Sequence, residues 1–86
     1  MKYIIIAFKS RNTLQKFVHF LKMNNIFSKI VNTPHAISSS CGLSAKTDYS
    51  NYGFIVSALN KGNIGDLLGV YLVSESKFTN HYQRLI

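Results

Sequence analysis

The opening stretch Lys2–Phe8, KYIIIAF, places Ile, Tyr and Phe at nearly every position. That pattern predicts a strand with apolar side chains on both faces. Further on, Leu14, Phe17, Val18 and Leu21 recur at helical spacing, which predicts a helix over Thr13–Met23. Asn12, with Gln15 three positions later, resembles a capping box at its start, and Asn24-Asn25 ends it. Ile26–Asn32 reads as a second strand and Thr33–Ser40 as a loop that Pro34 fixes at its entry. Leu43–Thr47 is a third strand, with Asp48 or Ser50 as the cap of the segment after it. Tyr52, Ile55, Val56 and Leu59 repeat the helical spacing, so a second helix is expected despite Gly53, a residue that costs about 1 kcal/mol inside one. Gly62 is its natural terminator, and Leu67–Val73 is the last strand. The remaining SESKFTNHYQRLI has no clear period; a short helix packed back on the domain is the expectation for it.

The order strand, helix, strand, strand, helix, strand predicts an α+β fold, a ferredoxin-like split βαβ sandwich (βαββαβ). Its sheet would have four antiparallel strands with both helices on one face. Residues 1–74 would form the single domain and 75–86 the tail, since 86 residues suffice for one modest core and no second. The other face of the sheet is then open. Ile4, Ile6, Tyr71 and Val73 are expected to make it apolar, which invites a homodimer or another partner.

Ten Lys and Arg against Asp48, Asp66 and Glu75 give a net charge of +7, which favours anionic partners. The cations run from Lys2 to Arg84 without a dense cluster, so a solvated basic surface and a nucleic-acid face stand about level. So few acids disfavour a paired-carboxylate hydrolase. His19, His35 and His81 are scattered, and a lone cysteine cannot supply paired thiolates, so neither metal nor cofactor is expected. No segment is long enough to span a bilayer, and the N-terminal apolar run is too short for a signal core. With one cysteine and no internal disulfide, the expected place is the cytoplasm, away from membranes.

That cysteine stands in ISSSCG, behind Ser38, Ser39 and Ser40 and ahead of Gly42. In the expected topology the loop between the second and third strands lies at the same end of the sheet as the start of the first helix. Cys41 should then approach Lys9, Ser10, Arg11, Asn12 and Thr13, where free N–H groups, the positive helix end and two cations favour a thiolate. A cysteine of ordinary pKa, ~8.5, needs roughly 2 kcal/mol of preferential stabilisation to be half ionised at neutral pH. A helix end supplies about 0.3–1 kcal/mol when exposed and up to about 2 when partly buried, so hydrogen bonds from the loop itself must add to it. The serines read equally as turn formers. Gly42 reads either as a turn residue at positive φ or as a position whose missing Cβ lets a partner reach the sulfur. His35 is the one histidine near Cys41 in sequence, and a Cys–His ion pair stays open.

The run TPHAISSSCGLSAK, set between two strands, resembles the selenium/sulfur (Se/S) carrier-like family of small proteins, over about Met1–Val73. Pro34, Ile37, Ser38, Ser39, Ser40, Cys41 and Gly42 match the family's signature; Lys46 takes a position commonly basic, and His35 stands where an arginine is expected. The resemblance implies that Cys41 carries sulfur or selenium as a persulfide or related species between donor and acceptor proteins, as a carrier rather than an enzyme. Two alternatives lack thiol chemistry. One is an RNA-recognition module, with NYGFIV (51–56) echoing a base-stacking motif, although the stretch lacks that motif's leading cation and final aromatic. The other is a small oligomerising, ligand-sensing domain that uses the open sheet.

Overall fold

The computed structural model describes residues 1–37, 42–61 and 66–86. Strand β1 (Lys2–Phe8) leads into helix α1 (Arg11–Met23), then β2 (Ser28–Asn32) and β3 (Leu43–Asp48). A 3₁₀ turn (Tyr49–Asn51), helix α2 (Tyr52–Lys61), β4 (Leu67–Glu75) and β5 (Asn80–Arg84) come next. The fold is α+β, with every paired strand antiparallel and the sheet ordered β2-β3-β1-β4-β5. The expected four-stranded sheet is therefore corrected to five, and its order is extended beyond β4. The C-terminal stretch is not a helical tail. Ser76 and Thr79 close a turn, and Asn80–Arg84 returns along β4 from Glu75↔Asn80 to Tyr71↔Arg84. A five-residue segment has too little periodicity to declare itself; here the unpaired edge of β4 decides its conformation.

Helix α1 starts two residues before the expected position. Ser10, extended at φ −110° and ψ 133°, is its N-cap, the side chain accepting from Thr13 N at 3.5 Å and the carbonyl from Leu14 N at 3.1 Å. Asn12 and Gln15 consequently lie inside the helix and form no capping box. At the other end Asn25 takes a left-handed φ of 62°, Asn25 N donates to Lys22 O and Ile26 N donates to Leu21 O. This Schellman closure turns Ile26 back towards Leu21 and delays β2 to Ser28. Asp48 caps the 3₁₀ turn instead of a helix, its carboxylate accepting from Ser50 N at 2.9 Å and held below its usual pKa by hydrogen bonding to Ser50. Gly62, expected to end α2, lies outside the described residues.

The core forms on one face of the sheet. Ile4, Ile6 and Phe8 of β1, Ala45 of β3 and Val70 of β4 meet Leu14, Phe17 and Leu21 of α1 and Ile55 and Leu59 of α2. Because alternate strand residues share a face, both helices cover the same side. This corrects the expected composition of the open face: Ile4 and Ile6 belong under the helices, whereas Tyr3, Ile5 and Ala7 point away with Tyr71 and Val73. Nor is that face simply apolar. Ile5 and Val73 are almost fully buried there, although neither α1 nor α2 covers them. Lys46 and Tyr71 flank Ile5, and Tyr3 and Tyr82 flank Val73.

Burial, helped by the nearby Glu75 carboxylate and the Tyr82 phenol, raises the Tyr3 pKa above its usual 10.0. A raised phenol pKa leaves its contribution to stability intact below pH 10 and removes it as pH rises through the folded value. Ultraviolet titration should therefore find a tyrosine that ionises late and is missing from Tyr3→Phe. A Tyr3→Phe protein with the parent titration curve would contradict this.

Candidate functional site

Strands β2 and β3 pair from Ser28↔Thr47 to Asn32↔Leu43, and the chain between them leaves and re-enters the sheet at Thr33 and Gly42. Both ends are clamped: Thr33 N donates to Gly42 O at 2.8 Å, and the buried Thr33 Oγ1 and Ser44 Oγ lie 2.6 Å apart. A turn comes after Thr33, with Ile37 N donating to Pro34 O at 2.9 Å. Ser38, Ser39, Ser40 and Cys41 lie outside the described residues.

Beside the clamp is a cleft of about 350 Å³ lined by Phe8, Lys9, Ser10, Arg11, Asn32, Gly42 and Leu43. It joins the last residue of β1, the N-cap of α1 and the base of the β2–β3 loop. Four of the residues named from sequence (Lys9, Ser10, Arg11 and Gly42) meet there. Among the described residues the other named positions, Asn12, Thr13 and His35, do not line it. Asn12 faces a shallower hollow with Gln15, Lys16 and His19. Thr13 Oγ1 donates to Asp66 Oδ2 at 2.7 Å, and His35 is exposed in the turn after Pro34. Gly42 is the first described residue after Cys41 and re-enters the sheet directly ahead of Leu43. Among the described residues a Cβ built on it would meet Thr33 Oγ1 at 3.5 Å, an ordinary contact.

Sequence reasoning missed two features. The Thr33–Ser44 clamp depends on cross-strand register, which neither residue reveals alone. Asp66 is 53 positions from Thr13, yet it bonds Thr13 through its carboxylate, and its carbonyl accepts from Lys9 N at 2.7 Å. No local signal could have found it. Chemically, the cleft offers the Lys9 and Arg11 cations, the Ser10 hydroxyl, the Asn32 amide and the positive end of α1. That set suits an anion, and the Asp66 carboxylate at the same helix start takes up part of the potential. Among the described residues no group of three His, Cys, Asp or Glu side chains gathers, and no helix is long and apolar enough to cross a membrane.

The family model described as "Putative Se/S carrier protein-like" matches residues 2–67, a span that includes the cleft and Cys41 and stops at the first residue of β4. Comparison with curated proteins and with solved structures finds no match.

Proposed function

The chain belongs to the Se/S carrier protein-like family, and from that premise we propose that Cys41 carries a sulfur or selenium atom between a donor and an acceptor protein. In the loading step the Cys41 thiolate attacks the terminal sulfur of a donor persulfide. The new S–S bond forms as the donor's own S–S bond breaks, the donor leaves as a thiolate, and no net oxidant is needed. An acceptor nucleophile reverses the step and releases the Cys41 thiolate. Selenium would travel the same way as a selenosulfide. The protein turns over no substrate of its own, and the chemistry suits a reducing compartment such as the cytoplasm. The scaffold is read as a ferredoxin-like core, β2-β3-β1-β4 with both helices on one face, to which β5 is added.

One observation carries this reading: Gly42, next to Cys41 in the chain, lines the same cleft as Lys9, Ser10 and Arg11. A sulfur delivered there meets donors and cations that favour the thiolate, the form that exchanges. Intact-mass measurement of the freshly purified protein without reductant should find an added sulfur or selenium atom that reductant removes and Cys41→Ser lacks. Alkylation near neutral pH should run about tenfold faster than for a peptide cysteine. A bare mass together with a peptide-like rate would sink the proposal.

A further inference from the structure

The stretch NYGFIV, the sequence's echo of an RNA-binding motif, lies in the 3₁₀ turn and α2, so it presents nothing on the sheet. The open face carries a different aromatic set. One row across it runs Lys29, Lys46, Ile5, Tyr71 and Arg84, and the next runs Asp48, Tyr3, Val73 and Tyr82. Three tyrosines on three adjacent strands therefore share a surface that neither α1 nor α2 covers, with three cations around them. We propose that this face binds single-stranded RNA, with bases stacking on Tyr71 and Tyr82 and phosphates meeting Lys29, Lys46 and Arg84.

Four observations favour that occupant. Gly69 lies under Tyr71: a Cβ built there would come within 2.9 Å of the Tyr71 ring and 3.2 Å of Ile86 O, so only glycine lets the ring lie over the sheet. Lys29 and Lys46 are directly opposed across β2 and β3, a like-charge pair that costs stability until an anion bridges it. Arg84 is already oriented by bonds to Ile86 O at 2.9 Å and Leu68 O at 3.1 Å, with further N–H donors to spare. Finally, Asp48 and Glu75 lie on the same face; they repel phosphate but accept from a ribose 2′-hydroxyl, which DNA lacks. The Tyr3 ring is less available for stacking, because Lys46 Nζ sits 4.2 Å from its centroid; the Arg84 guanidinium lies farther from the Tyr71 centroid, at 5.9 Å, and has to swing aside to a phosphate for a base to stack there. A second copy of the chain is the poorer occupant, since each copy carries +7 and would bring cations to cations.

Fluorescence anisotropy with a labelled oligouridylate of about ten nucleotides tests this. Binding should weaken with salt at a log–log slope of about −2, as three phosphate contacts to a single strand require. Tyr71→Leu and Tyr82→Leu should each weaken it about tenfold, and Arg84→Gln should flatten the slope by about 0.7. Lys16→Gln on α1 should leave binding unchanged, as should Cys41→Ser, which keeps this outcome separate from the carrier chemistry. If Tyr71→Leu does not fold, Tyr82→Leu and Arg84→Gln on the edge strand decide alone. The proposal is overturned by no binding at low salt, by equal affinity for the matching oligodeoxyuridylate, or by a dimer in light scattering that Tyr82→Leu dissociates.

Discussion

A chain cut after Glu75 should lose on the order of 3 kcal/mol of stability and become prone to aggregation. The cut removes the register from Tyr71↔Arg84 to Glu75↔Asn80, the Leu85 N to Val70 O bond of 2.7 Å, and the packing of Leu85 on the core. A domain of this size has only about 4–13 kcal/mol in total, so the loss is a large fraction. It also uncovers Val73, which is fully buried although neither α1 nor α2 lies over it. Aggregation results from the edge that remains. LLGVYLV in β4 is apolar, uncharged and free of proline, and β5, with His81, Gln83 and Arg84, is the polar strand that shields it. Denaturant unfolding with light scattering checks both effects. An unchanged midpoint and a monodisperse truncated protein would show that β5 is dispensable.

Ile6→Ala should cost about 2–5 kcal/mol, while Ile30→Ala should cost well under half of that. The comparison is a controlled one, because both residues lie in a single row on the helix-facing side, Ile30↔Ala45↔Ile6↔Val70. Ile6 sits at the centre with 0% of its surface exposed; Ile30, on edge strand β2, is 45% exposed. The same methyl groups are removed in each case, but only at Ile6 does a cavity remain among the side chains of α1 and α2. Matched urea unfolding of the two variants gives the answer, and equal losses would mean that the helices cover the sheet more evenly than they do here.

The two isoleucines also mark how far the chain could be read in advance. β1 and the bodies of both helices were legible because period is local: IIIAF in β1, the Leu14–Leu21 stripe and the Tyr52–Leu59 stripe declare themselves within a few residues. Boundaries were harder, since Ser10 and Asn12 are both competent caps, and only the end of β1 at Phe8 selects Ser10. Half of the candidate site was visible for a related reason. Lys9, Ser10 and Arg11 come directly after a strand and start a helix, so topology alone places them at the end of the sheet where the β2–β3 loop returns. Asp66 and the Thr33–Ser44 clamp were not visible, because each joins positions that only register brings together.

By itself the sequence determined the types of β1, α1, β2, β3, α2 and β4, the excess of positive charge and a cysteine signature that identifies the family, since each of these is written in neighbouring residues or in a simple sum. The tertiary structure decided which isoleucines are buried, that the C-terminal stretch becomes a fifth strand, that a carboxylate reaches the start of α1, and that three tyrosines share the uncovered face. These depend on what lies above, beside or across from a residue, and burial and pairing are sums over contacts between segments far apart along the chain.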